Sequence, residues 1–417
     1  MGELVFAPFA ARAAQRLTQG ADQEPAAGIL GTSASEARPI PLPERERLWR
    51  CLWNEAPGIG WQRLQQLQQH FGSLERAWGA CPETLWRGLA GSRWGHQHQK
   101  NLLEYRQRLG PTPISTPPSA EQRQRWRAVR CLVWGDAAFP ASLLKLERPP
   151  LRVHWQGRGS LWACLRHRQA VAVVGTRHPS RHGEATARQI GRALAEAGWP
   201  VVSGLAEGID AAAHEGCLES GGYPVGILGT PLERVYPRHH TELQQRVAAR
   251  GLLVSELAAG TPVRAGHFAA RNRLQVALAR AVVLVECPQR SGALHSAEMA
   301  WSEGIPLWAV PADTNRASAA GSNRWLGQGA TPLLEPADLI TSLGPGPLLR
   351  RHPQEAATSS KLRLREAALL AAVGPGATME QLCQRLRQGP EQLGQRLLQL
   401  ELAGVLRCEP GLWWRPC

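Results

Sequence analysis

Arg271-Asn272-Arg273 sets two guanidiniums around an amide, a group that can grip phosphate oxygens and stack on bases. A single Arg-x-Arg is more often a solvated helix face, so these arginines carry meaning only in company. That company stands at the ends of short apolar runs. Gly175-Thr176-Arg177 follows one, and Ser203-Gly204 another, leading on to Gly208-Ile209-Asp210. Gly229-Thr230 follows a third, with Tyr236-Pro237-Arg238 shortly after, and Ser255-Glu256 follows a fourth. Ser291-Gly292 comes after a fifth, where a helix begins. Glycine lets a ligand approach the backbone, and helix N-termini favour anions. Phosphate is the natural ligand of such a set. Two residues apart, Arg271 and Arg273 cannot point one way on a regular helix. They converge only if Asn272 lies in a loop or at a helix end. Otherwise one of them pairs with an acid such as Glu256.

Acid–base chemistry has candidates of its own in Glu256, Asp210 and His214, so a nucleotide-processing hydrolase is the rival reading. No nucleophile, paired-carboxylate spacing or metal-ligand cluster accompanies them, and no catalytic residue, metal or cofactor is expected. A nicotinamide enzyme would need Gly-x-Gly-x-x-Gly after the first strand, where this chain has Gly175-Thr176-Arg177-His178.

These residues need a scaffold. Strands are expected over 170–174, 200–202, 225–228, 252–254, 282–286 and 307–310. Helical pattern falls between them, over 184–197, over 241–249 and from about 291. That alternation implies an α/β fold with a doubly wound, Rossmann-like parallel sheet, whose ligands sit at the carboxyl ends of the strands. The Rossmann-like domain is placed at 120–343. Ahead of it come a disordered leader (1–43), a helical domain (44–110) and a Pro/Ser/Thr linker (111–119). In the helical domain, Pro57-Gly58-Ile59-Gly60 joins two helices in the manner of a helix-hairpin-helix or SAM-like domain. A second linker (344–358) leads to 359–417, where three helices and two strands give the outline of a winged helix. Arg385, Arg387 and Arg396 make it weakly basic at best, which favours an accessory or protein-interaction role over DNA reading.

The chain of 417 residues carries a net charge of +14, an excess that suits a polyanion. Lysine occurs only at Lys100, Lys145 and Lys361, so arginine supplies nearly all of it. A coding bias would give the same excess, and placement must decide. Nine cysteines without a Cys-x-x-Cys pair fit neither a zinc site nor a disulfide scaffold, and read as reduced thiols in a cytoplasm. No apolar run reaches the roughly 20 residues of a membrane helix.

The central motifs resemble the DNA-processing protein A (DprA, Smf) family. The resemblance lies in Val171-Ala172-Val173-Val174-Gly175-Thr176-Arg177 and above all in Ser203-Gly204-Leu205-Ala206-Glu207-Gly208-Ile209-Asp210. Arg271-Asn272-Arg273, Ser291-Gly292 and Gly321-Ser322-Asn323 follow in the family's order. It covers roughly 44–417, most firmly 170–335. The resemblance implies a non-enzymatic protein that binds single-stranded DNA entering in natural transformation, protects it and loads the recombinase RecA. It also implies a homodimer formed through the Rossmann-like domain. By position, Arg177, Arg238, Arg271 and Arg273 would line the DNA pocket, and Gly175, Ser203, Gly204, Gly208 and Ser291 would shape it. Asp210 would brace the loop. Several positions depart from the family pattern: Glu207 for a base, Pro231 for glycine, His240 for asparagine, Ala312 for glycine, and no proline in Phe268-Ala269-Ala270.

Overall fold

Short runs of β-branched and aliphatic residues recur through the centre of the chain, and they form strands buried on both faces. The computed structural model describes residues 44–89, 94–114, 130–349, 366–402, 405–409 and 412–416. The expected leader lies outside these, as do 115–119 and 350–358 of the two linkers. The strands are β1 (Cys131–Val133), β2 (Arg152–Gly157), β3 (Val171–Val174), β4 (Val201–Ser203) and β5 (Pro224–Leu228). They continue with β6 (Leu252–Ser255), β7 (Ala281–Leu284), β8 (Leu307–Ala309) and β9 (Thr331–Pro332). All nine join one sheet in the order β1-β2-β6-β5-β4-β3-β7-β8-β9. β2 pairs antiparallel with β1 and β6, and every other pairing is parallel.

Alternation along β3 divides the core in two. Val171 and Val173 pack with Ile190 and Leu194 of helix Arg181–Glu196 and with Ile209 and Ala213 of helix Ile209–Glu219. Ala172 and Val174 face the other way, toward Leu274 of helix Ala265–Ala277 and Ala297 of helix Ala293–Ser302. Helices therefore cover both faces. The chain runs outward from β3 through β4, β5 and β6, then returns to β3's other side as β7. Between β3 and β7 the connections diverge, which opens a crevice at the carboxyl edge. β7 stops at Leu284, short of the expected 286, so Glu286 stands beyond the strand on that edge.

At the N-terminal end, helices Glu44–Glu55, Trp61–Phe71, Leu74–Gly79, Pro82–Gly88 and His96–Leu109 enclose Trp53, Leu64, Leu67 and Leu102. The Pro57–Gly60 turn joins the first two of these. Their core continues onto Cys131 and Val133 of β1, and Arg47 pairs with Asp136 at 2.9 Å. At the other end, helices Ala367–Val373, Met379–Leu386 and Pro390–Leu402 accompany β10 (Ala377–Thr378), β11 (Leu406–Glu409) and β12 (Trp413–Pro416). These strands are ordered β10-β12-β11, one more than the sequence suggests. Leu369, Leu397 and Trp414 share a core with Trp162 and Leu165, so this segment packs onto the sheet unit. Residues 344–349 are also held: Gly346 N and Leu348 N donate to the carbonyls of Ala197 and Gly198.

Candidate functional site

The crevice between β3 and β7 opens into a pocket of about 440 Å³. Of the residues singled out from the sequence, Gly175, Thr176, Arg177, Arg271, Asn272, Ser291 and Gly292 line it. The loop after β3 forms one wall. Thr176 N donates to the Glu286 carbonyl at 2.7 Å, and the Thr176 hydroxyl accepts from His178 N at 3.2 Å. Both bonds hold Arg177 out at the exposed rim. Its guanidinium lies 5.7 Å from the Phe268 ring centroid, and Phe268 in turn packs on the half-exposed Tyr236 ring at 4.8 Å. Gly204 and Arg271 line a smaller adjoining cleft with Glu207, Tyr236 and Phe268.

The loop after β4 is built to receive Arg271. Gly204 N donates to Asp210 Oδ2 at 3.0 Å, so Asp210 braces the loop, as its position suggests. A Cβ on Gly204 would lie 1.9 Å from Arg271 Nη1; only glycine leaves that space. The guanidinium donates to the Ile227 carbonyl and is all but buried. Burial lowers its pKa to about 10, with the Asp210 charge working against that fall, so it stays cationic at neutral pH. Burial likewise pushes the Asp210 carboxyl up, opposed by Arg271 and the Gly204 N–H. Gly208 caps helix Ile209–Glu219 at φ +76°, where an added Cβ would meet the Thr176 carbonyl at 2.5 Å.

The two arginines of Arg271-Asn272-Arg273 do not converge. Helix Ala265–Ala277 runs straight through Asn272, contrary to the loop or helix end that convergence requires, so the arginines diverge. Arg273 Nη2 contacts both oxygens of Glu256, at 2.7 and 2.6 Å. Asn272 Nδ2 donates to the Gly292 carbonyl at 3.2 Å and ties this helix to the next. Ser203 is fully buried, donating to the Val173 carbonyl at 2.6 Å, so it holds the sheet edge together rather than lining the pocket. Arg238 is exposed on a short turn and lines neither the pocket nor the cleft. Gly321-Ser322-Asn323 also works from behind. Gly321 N donates to the Cys287 carbonyl, Ser322 accepts from Cys287 N, and Asn323 bonds the backbone of Ala312.

Sequence reasoning missed four site residues. Glu286 accepts from Ser180 N at 3.1 Å and Ser180 Oγ at 2.8 Å, where helix Arg181–Glu196 begins. Burial works against its charge, but hydrogen bonds from Ser318 and Ser180 and the nearby Arg316 hold its pKa below the usual range. The chain's own carboxylate thus occupies the helix end where a dinucleotide's pyrophosphate would otherwise sit. Arg290, exposed, adds a cation to the pocket, and Gln275 and Ser296 lie buried on its wall. The signal for Gln275 was a polar residue four places after Arg271 on a buried face. The acid–base candidates are engaged elsewhere: Glu256 with Arg273, Asp210 with Gly204. His214 is fully buried and driven by that burial to a pKa of about 3.

A family model described as DNA recombination-mediator protein A matches residues 130–344. Protein Smf of Synechocystis is 34% identical over 316 residues, 74% of this chain and 76% of its own length. A putative DNA processing protein DprA of Mycobacterium tuberculosis is 36% identical over 249 residues, 59% of this chain and 64% of its own. Among solved structures, DNA processing protein A from Streptococcus pneumoniae superposes with a TM-score of 0.58 at 24% identity. That superposition covers 70% of this chain and 97% of the other, a likeness of fold.

Proposed function

The chain belongs to the DNA recombination-mediator protein A family, and from that premise we propose that it binds single-stranded DNA in the crevice between β3 and β7. In this reading it protects incoming DNA and loads RecA on it during natural transformation, acting in the cytoplasm as a homodimer without catalysis or cofactor. One observation supports it most: Arg177, Arg271 and Arg290 line a single pocket at the sheet's carboxyl edge. Three cations against the one carboxylate of Asp210 favour a phosphate backbone. The rings of Phe268 and Tyr236 beside them offer bases a sequence-tolerant surface. The contacts are assigned to Arg177, Arg271, Arg290, Ser291 and Gly292, on a frame of Gly175, Thr176, Ser203, Gly204, Gly208 and Asn272. Arg273 is given a bracing role, and Arg238 an outlying one.

The same reading divides the chain into a helical SAM/helix-hairpin-helix-like domain (44–110), a Rossmann-like domain (120–343) and a winged-helix domain (359–417). In the last of these, Arg385 donates to the Ala372 carbonyl and Arg396 pairs with Glu366, so two of its arginines are engaged within the fold, which favours an accessory role. Among the described residues no helix is long and apolar enough to cross a membrane. The test is the double variant Arg177→Glu, Arg290→Glu. Both side chains are exposed, so the fold should survive. Single-strand affinity should fall at least about tenfold, a loss of about 1.4 kcal/mol. Unchanged affinity would move the interface elsewhere.

A further inference from the structure

Cys51 and Cys131 stand far apart in the chain and meet in the core that joins the N-terminal helices to β1. Both side chains are buried, and their thiols hydrogen-bond to each other. Arg47 holds the pair together. It lies four residues before Cys51 on helix Glu44–Glu55, and therefore on the same helix face. Its Nη2 donates to the Cys131 carbonyl at 3.0 Å, and its Nε donates to Asp136 Oδ1 at 2.9 Å. One guanidinium thus stands beside both sulfurs, with its charge balanced by Asp136.

The two thiols are not equivalent. Burial drives the Cys164 thiol of this chain up to about 12. Cys131 goes the other way. The Cys51 S–H donates to its sulfur and the Arg47 charge adds to that, so its pKa falls below the ordinary thiol value although burial opposes the fall. Cys51 keeps its proton, held by the same bond and by burial. The thiol that ionises first therefore has a protonated thiol against it, the pairing of an attacking and a resolving cysteine. A small oxidant has a way toward them. The register of β1 on β2 sets His154 directly opposite Cys131. His154 and Arg130, the residue before Cys131, line an open groove of about 600 Å³ that also runs past Glu55, Arg152 and Ala258.

We propose that Cys51 and Cys131 form an intramolecular disulfide in the presence of hydrogen peroxide, fixing helix Glu44–Glu55 to β1. The Cys131 thiolate attacks one peroxide oxygen. The O–O bond breaks, a sulfenic acid forms, and the departing hydroxide takes up the proton that Cys131 released. The Cys51 sulfur then attacks the Cys131 sulfur. The S–O bond breaks, and the hydroxyl leaves with the Cys51 proton as water. Two thiols and one peroxide give one disulfide and two waters; the sulfurs lose two electrons and the peroxide gains them. The crevice between β3 and β7 takes no part, so this modification site stands or falls independently of the single-strand reading.

The full chain is treated with hydrogen peroxide, its remaining thiols are alkylated, and it is digested with trypsin without reduction. Peptides 51–63 and 131–145 should appear joined, and dithiothreitol should release them. Oxidised wild type should unfold at a Tm at least about 3 °C above the reduced protein, because the bond closes a long loop in the unfolded chain. Cys51→Ala should abolish the joined peptides and the Tm shift together. It should also leave Cys131 as a sulfenic acid that dimedone labels more strongly than in wild type. Circular dichroism checks the fold, and Cys51→Ser replaces the alanine variant if that one unfolds. Thiols that both remain alkylatable after peroxide overturn the proposal, and so does a Cys131 carried on to sulfinic acid in place of the joined peptides.

Discussion

Arg273→Gln should cost stability and leave DNA binding almost untouched. Arg273 reaches both carboxylate oxygens of Glu256, and the two side chains are 16% and 30% exposed. The pair stands between an exposed ion pair, worth about 0–1 kcal/mol, and a buried one, whose breaking costs about 3–5 kcal/mol. Removing Arg273 should therefore cost about 1–3 kcal/mol, most of it from stranding Glu256. Adding Glu256→Gln should return part of that loss, a coupling of about 1 kcal/mol in a double-mutant cycle. Guanidinium chloride unfolding reads the stability. Anisotropy titrations at several salt concentrations read the DNA, because each phosphate of a single strand that a cation ceases to neutralise lowers the slope of log K against log salt by about 0.7. The variant should keep the wild-type slope, with affinity within about twofold. A slope shallower by that amount, with stability unchanged, would show Arg273 meeting phosphate and refute its bracing role.

Three further outcomes follow from the geometry. Gly204→Ala should displace Arg271 from the Ile227 carbonyl and weaken single-strand binding at least about tenfold with secondary structure intact; undiminished binding would remove Arg271 from the interface. His214, with its pKa driven by burial to about 3 against an ordinary 6.5, is protonated more readily unfolded than folded. Its contribution is complete above pH 6.5 and declines as pH falls toward 3, by about 2 kcal/mol between pH 6.5 and 5. Unfolding curves across that range should flatten in His214→Gln, and an identical slope in the variant would count against the assignment. Truncation after Leu343 should lower Tm, since Trp162 and Leu165 lose the cover of Leu397 and Trp414, yet keep most single-strand affinity. A truncated chain that folds by circular dichroism but no longer binds would place the site in the removed part.

The strands and their loops were legible because a strand buried on both faces leaves a short, nearly pure apolar run, and glycines with polar residues mark its end. β3 with Gly175-Thr176-Arg177 and β4 with Ser203-Gly204 are such cases. The fate of each arginine was not legible. Arg271 and Arg273 are near neighbours in sequence, but their surroundings come from distant segments: Gly204, Asp210 and Ile227 for one, Glu256 for the other. Only the helix running through Asn272 separates them, and an Arg-Asn-Arg run does not announce whether it continues a helix or ends one. Glu286 was hidden for a similar reason. Its role depends on Ser180, which the sheet's parallel crossing brings beside it from 106 residues away. Ser203, expected to shape the pocket, does so from within the sheet, and a hydroxyl in a polar loop motif does not announce that its partner is the Val173 carbonyl.

The central claim, that the Arg-lined crevice holds single-stranded DNA by its phosphates, is tested most directly by titrating single-stranded and duplex oligonucleotides of equal length across a range of salt. The single strand should bind at least about tenfold more tightly than the duplex near 0.15 M salt. With Arg177, Arg271 and Arg290 each meeting one phosphate, log K should fall against log salt with a slope of about −2. Equal or tighter duplex binding, or affinity that does not change with salt, would contradict the account.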